Sequence, residues 1–118
     1  MANRKLKDIT SDSLVLRADS RLLEVLHQVE RGPLRFTDLA RTLNLAPAQV
    51  NRALKSLVLG RLLEARIEPG AYPNKIRYSL TPAGEFELRQ VRQRLAALKT
   101  SPSPAHVREA RRLQQVLS

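Results

Sequence analysis

The chain has no cysteine and no tryptophan. Absence of cysteine removes disulfides, thiolate metal ligands, thiol nucleophiles and thiol redox sensing together. Aromatic residues make up only 3% of the 118 residues, so the core has to be assembled from Leu, Val, Ile and Ala, which suits packed helices. There is no Gly-rich phosphate loop, no paired-carboxylate constellation and no Ser/His/Asp grouping, so no enzymatic activity is expected. His27 and His106 have no His or Cys at ligand spacing, so neither a metal nor another cofactor is expected. No run of 18 apolar residues occurs, and residues 1–12 lack the apolar centre of a signal peptide. The expectation is a small cytoplasmic protein without a membrane partner. Its length is one domain's worth.

Acidic residues are also scarce. Eleven Asp+Glu stand against 21 Lys+Arg, giving a formal charge of +10. A balance this basic suits nucleic acid, an anionic membrane surface or simple solubility, and the position of the charges helps to choose. Between Asp38 and Glu64 there is no acid, while Arg41, Arg52, Lys55 and Arg61 fall there. Between Glu87 and Glu109 there is again none, against Arg89, Arg92, Arg94, Lys99 and Arg108. The excess is local.

Residues 1–12 read as a basic tail (Arg4, Lys5, Lys7). A helix follows, with Asp19 or Ser20 as its cap or a start as early as Ser13, carrying Leu22, Val25, Leu26 and Val29 on one face. Leu34, Arg35 and Phe36 make a short extended bridge. Thr37 is the expected cap of a second helix, with Leu39, Ala40 and Leu43 as its apolar side. Asn44, Leu45 and Ala46 form a tight turn, and Pro47 opens a third helix with Val50, Ala53, Leu54 and Leu57 inward and Gly60 at its end. The apolar period then changes to two. Residues 62–68 and 75–80 read as a hairpin with a long loop at 69–75. Thr81 and Pro82 start a helix over 82–98, and a break rich in Ser and Pro leads to a last helix over 105–117.

This order predicts a mainly helical chain with a small β-hairpin, a winged helix-turn-helix with additional C-terminal helices. The domain would span 13–81, with 82–118 as C-terminal helices for dimerisation. The stretches from Phe36 to Leu43, Leu45 to Arg52 and Leu57 to Leu63 resemble bacterial winged-helix repressors. Arg77, Tyr78, Ser79 and Leu80 followed by Thr81, Pro82, Ala83 and Gly84 resemble the wing and helix start of the MarR and HxlR groups. The resemblance covers about residues 32–98. It departs from the HxlR pattern in lacking an early cysteine and in a shorter turn between the two helices. It implies a dimeric, sequence-specific regulator of transcription, a repressor, with double-stranded DNA as partner and the wing on the DNA backbone. No motif marks an effector site.

The residues themselves point the same way. A groove-entering helix buries one face and offers hydrogen-bonding side chains on the other. With its apolar face inward, the helix from Pro47 presents Ala48, Gln49, Asn51, Arg52 and Lys55. Asn and Gln match adenine, Arg matches guanine and Lys meets phosphate, while small residues at the start let the helix end approach DNA. Gln49 has a second reading, capping its own helix from the third position. Thr37 on the supporting helix and Lys75 and Arg77 on the wing are the further expected DNA contacts. Tyr72 is expected to pack on its own hairpin, and Phe36, Tyr78 and Phe86 to join the core. A solvated face is the plain alternative for Arg52 and Lys55.

Leu88, Val91, Leu95 and Leu98 recur at seam spacing. They either cover the domain's own core or pair with a second copy. The last helix is surplus to a compact winged domain, so a homodimer through these residues and Leu113, Val116 and Leu117 is expected. Two readings compete with a regulator. One is a winged module whose exposed helix docks a protein, which would call for apolar anchors there. The other is an accessory or architectural DNA-binding factor of a plasmid, phage or chromosome.

Overall fold

A computed structural model of the chain describes residues 20–70 and 75–117. The basic tail, the possible earlier helix start and Tyr72 lie outside the described residues. The elements run α1 (Ser20–Val29), β1 (Leu34–Arg35), α2 (Phe36–Leu43), α3 (Pro47–Leu59), β2 (Leu63–Ile67), β3 (Ile76–Leu80), α4 (Pro82–Lys99) and α5 (Pro104–Leu117). The three strands form one antiparallel sheet in the order β1-β3-β2. The mainly helical winged-helix architecture expected from the sequence is the one observed.

α1 is the central post. Leu22, Val25, Leu26 and Val29 are buried as their spacing requires, and Leu23 and His27 are buried too. A helix buried on so wide a face must be enclosed by several neighbours, and α1 packs on α2, α3, α4, α5 and β3. His27 Nδ1 lies 3.8 Å from Glu30, beyond hydrogen-bond reach, and no partner satisfies either ring nitrogen among the described residues.

The turn between α2 and α3 works as the residue types demand. Asn44 adopts the left-handed conformation at φ 53°, which Asn tolerates better than most side chains. The Leu45 N–H then donates to the Ala40 carbonyl at 3.2 Å and closes the helix end. Leu45 packs against the core between the two helices. α2, however, starts two residues earlier than expected. Arg35 is its cap residue, with its N–H donating to Asp38 Oδ2 at 3.2 Å, so Thr37 stands inside the first turn with an exposed side chain. Asp38 reaching back across the turn replaces the threonine hydroxyl in the capping role.

Register sorts the sheet into two faces. Leu63 pairs with Leu80, Ala65 with Tyr78 and Ile67 with Ile76, and Leu34 pairs with Tyr78 from the other side. These make the apolar face, buried near Leu63 and open at Ile67 and Ile76. The opposite face carries Arg35, Arg77 and Arg66 directly across from one another. Like charges so placed repel, and two acids answer them. Glu68 binds Arg35 and Arg77, and Glu64 Oε2 accepts from Arg66 Nε at 2.8 Å.

α4 begins at a built corner. Thr81 Oγ1 accepts from the Gly84 N–H at 3.0 Å and donates to the Arg61 carbonyl at 2.7 Å. Gly84 is buried against the Leu62 carbonyl, where a Cβ would collide with backbone. Arg61 itself has φ 64°, so the chain turns sharply between α3 and β2.

Two expectations about the C-terminal part are corrected. Leu88 and Val91 are fully buried, and Leu95, Leu98 and Leu113 nearly so, within the single chain. α5 is not surplus: it packs on α1 and α4, with Ala110 and Leu113 in the same core as Leu23 and Leu26. The seam-like spacing is thus explained by the chain's own packing, in which each of these five side chains is at most 8% exposed. Val116 and Leu117 are half-buried against that core. Phe86 is the second correction. It is 50% exposed on the outer side of α4, with the Arg89 guanidinium 5.8 Å from its ring centroid.

Candidate nucleic-acid interface

Ideal helix geometry and burial together define the outer side of α3. Val50, Ala53, Leu54 and Leu57 point inward, which leaves Ala48, Arg52, Lys55 and Leu59 along the opposite ridge and Asn51 to one flank, all exposed. Among the described residues no hydrogen bond or ion pair holds the Arg52 or Lys55 side chain. The first turn carries no acid, so the positive end of the helix dipole is uncompensated. Pro47 occupies the first helical position and is exposed, which sets the start of the helix without using an N–H.

Gln49 takes the capping arrangement. Its Oε1 accepts from the Ala46 N–H at 3.0 Å, and its own N–H donates to the Ala46 carbonyl at 2.9 Å. Leu59, 79% exposed at the far end of the ridge, had no part in the sequence expectations. It lies four residues beyond Lys55, and that spacing was the available signal.

Thr37 and Lys75, far apart in sequence, come together. They line one cleft of about 360 Å³ between the start of α2 and the wing, with Arg35, Phe36, Ile76 and Tyr78 as the other walls. Lys75 is exposed and no ion pair holds its side chain among the described residues. Thr37 and Lys75 thus place a hydroxyl and a cation beside the first turn of α2, an arrangement suited to one phosphate.

Arg77 does not join them. It sits on the opposite face of the sheet, where its Nε donates to Glu68 Oε1 at 3.3 Å and its Nη1 to the Pro33 carbonyl at 3.2 Å. Glu68 is held mainly by Arg35, whose Nη2 lies 2.7 and 2.9 Å from the two carboxylate oxygens. The Arg35 hydrogen bond, aided by the nearby Arg77 charge, keeps the Glu68 carboxyl below the ordinary carboxylate range. Arg77 is therefore a brace of the wing base with its charge already matched. No short-range pattern links Arg35 to Glu68, 33 residues apart, so the sequence did not show it.

Arg92, one of the basic residues after the wing, is matched as well. Its Nη1 and Nη2 meet the two oxygens of Glu30 at 2.8 and 2.6 Å and tie α4 to the end of α1. That bidentate pairing is the largest cause of the lowered Glu30 pKa and of the raised Arg92 pKa.

The candidate surface thus brings together Thr37, Pro47, Ala48, Gln49, Asn51, Arg52, Lys55 and Lys75. It is a polar, cationic ridge beside a cleft, without a cluster of acids or histidines that would hold a metal among the described residues. No helix of the described residues is long and apolar enough to cross a membrane.

Several solved structures share this fold. The reduced form of the transcriptional regulator YodB from Bacillus subtilis is 25% identical, with a TM-score of 0.60 over 79% of this chain and 91% of that one. The adhesin competence repressor AdcR from Streptococcus pyogenes is 19% identical, with a TM-score of 0.59 over 98% and 94% of the two chains. The transcriptional regulator HlyU from Vibrio vulnificus is 18% identical, with a TM-score of 0.58 over 79% and 97%. No curated protein sequence matches the chain. The model of the HxlR-like helix-turn-helix family matches residues 20–106, from the start of α1 into α5. The chain belongs to the HxlR-like helix-turn-helix family.

Proposed function

We propose that the chain is a sequence-specific double-stranded DNA-binding regulator of transcription, acting as a repressor. In this reading α3 enters the major groove and Lys75 with Thr37 holds a backbone phosphate beside it. The observation that carries it is the outer ridge of α3: Ala48, Arg52 and Lys55 are exposed, cationic at two of three places, and no acid stands in that helix. Such a face suits base edges and phosphates and has no evident use inside the fold. Family membership and the likeness to the regulators named above support it.

A protein-docking role would ask for apolar anchors across the same face. Leu59 is the large one there, at the far end from the helix start, so DNA remains the better occupant. Two copies on a near-palindromic site, with α3 helices about 34 Å apart, complete the proposal. Their contact would have to use surface other than the buried Leu88 to Leu113 row.

The test is selection of bound duplexes from a random library, followed by binding of variants to the selected site. Arg52→Ala should lose discrimination between the selected site and a scrambled one, by about tenfold if it reads a base. Lys75→Ala should weaken both duplexes alike. The reverse ranking, or no enriched duplex, overturns the assignment.

A further inference from the structure

Arg61 stands just past α3 in a strained backbone conformation, and its role deepens the DNA-binding proposal on which it rests. Two bonds close the helix end. The Leu62 N–H donates to the Leu57 carbonyl at 2.9 Å, and the Arg61 N–H donates to the Val58 carbonyl at 3.0 Å. Such a pair of bonds places Arg61 where the chain turns left-handed and glycine is the usual occupant. Arg61 takes that turn at φ 64°. Gly60, one residue earlier, has φ −80°, a right-handed conformation that does not call for glycine.

The end of α2 is built by the same pair of bonds, from Leu45 N–H to the Ala40 carbonyl and from Asn44 N–H to the Arg41 carbonyl. There the left-handed residue is Asn44, a type that tolerates the turn. At the end of α3 an arginine stands instead, and its Cβ crowds the carbonyl that follows. Its backbone is pinned, because the Arg61 carbonyl accepts from Thr81 Oγ1 at 2.7 Å. Its side chain is exposed, and among the described residues no hydrogen bond or ion pair holds it. Inside the fold that side chain has no evident use, and strain kept at such a position points to a ligand.

The position of Arg61 on α3 says which ligand. The 13 residues of the helix span about 20 Å. The major groove is about 8.5 Å deep, so with the first turns at the base edges the far end stands level with the groove's rim. That end carries the negative half of the helix dipole, which repels phosphate unless a cation stands between. The last turn of α3 has no basic residue, and Arg61 is the first cation after it. A guanidinium meets phosphate oxygens with two parallel N–H bonds. We propose that Arg61 is a further DNA-binding residue, gripping a backbone phosphate at the rim of the groove, at the opposite end of α3 from the base-reading first turn.

The experiment pairs urea unfolding with duplex binding for the full chain, Arg61→Gly and Arg61→Lys. Glycine takes a positive φ without a Cβ clash, so Arg61→Gly should unfold at or above the wild-type urea midpoint. It should nevertheless bind about tenfold more weakly for each copy on the duplex at about 50 mM salt, on selected and scrambled sites alike. Its logarithmic salt slope should be shallower by about one phosphate per copy. Arg61→Lys keeps the charge at the same place and should keep the wild-type slope. Wild-type binding that Arg61→Gly reproduces in full overturns the inference alone. A urea midpoint lowered by glycine overturns it too, since the arginine would then serve the fold. If the wild-type chain binds no duplex, the DNA-binding reading beneath it falls as well.

Discussion

Truncation of Leu113 separates a row that serves the chain's own core from one that joins two copies. Leu113 is 1% exposed on α5 and belongs to the same cluster as Leu23, Leu26, Leu95 and Leu98. α5 packs on both α1 and α4, so the methyl groups removed by Leu113→Ala leave a cavity walled by at least two other helices. Closing it would require those helices to move, and Arg112 Nη1, bonded to Ser20 Oγ at 2.8 Å, holds α5 against α1. Lost transfer free energy and the cavity together cost about 3 kcal/mol. With a urea dependence of about 1.5–2 kcal/mol per molar for a domain of this size, the midpoint falls by about 1.5–2 M. The assay is urea unfolding followed by circular dichroism, at two protein concentrations tenfold apart, with the mass of the native species measured alongside. The midpoint difference between wild type and variant should be the same at both concentrations. A loss below about 0.5 kcal/mol, the scale of an ordinary surface change, together with conversion of a two-copy species into single chains, would refute this account of α5.

Three further outcomes follow from other parts of the molecule. Gly84→Ala should cost about 2 kcal/mol in the same urea assay, because the new Cβ meets the Leu62 carbonyl and the Leu80 side chain, and backbone cannot step aside cheaply. Glu30→Gln should lower stability by less than about 1 kcal/mol near neutral pH, since both partners of the Arg92 pair are more than a third exposed. The Arg92 hydrogen bond holds the folded Glu30 carboxyl below the ordinary carboxylate range, so this contribution is present above that range and disappears as pH falls through the lower folded value. Unfolding curves should therefore separate the two proteins near pH 6, and the gap should narrow as pH falls below the ordinary carboxylate range. Glu68→Gln should loosen the wing base by weakening the grip on Arg35 and Arg77, seen as faster amide exchange in β2 and β3 while α1 is unchanged.

Local patterns carried the fold well. The inward row Val50, Ala53, Leu54 and Leu57, the left-handed Asn44, the Thr81 cap and the alternation of the hairpin each follow from residue type and spacing within a few positions. What the sequence left open involved partners distant in sequence. Whether Leu88 to Leu98 faces a twin or α1 and α5 depends on tertiary packing, and the spacing of the row is the same in either case. Phe86 looked like core because it is aromatic, yet its place on α4 turns it outward under Arg89. Thr37 lost its capping role to the Arg35 and Asp38 pair, a shift of the helix start that propensity does not resolve.

The interface was legible in the same uneven way. Residues on one helix face, Ala48, Arg52 and Lys55, could be chosen by arithmetic and are exposed as expected. The pairing of Thr37 with Lys75 in one cleft needed the folded sheet, and so did the loss of Arg77 to Glu68. The +10 charge acquires a sharper meaning here, because Arg35, Arg77 and Arg92 are matched internally while Arg52, Lys55 and Lys75 have no such match among the described residues.

The central claim is that this unmatched charge is aimed at DNA phosphates, and salt dependence measures it directly. Neutralising about four phosphates per copy, about eight for two copies on one site, should lower the affinity for a selected duplex on the order of ten-thousandfold between about 50 and about 200 mM salt, through release of condensed counterions. Lys75→Ala should make the logarithmic slope shallower by about one phosphate, while Arg52→Ala, which removes a base contact, should leave the slope nearly unchanged. An affinity that barely changes across that salt range would contradict the account.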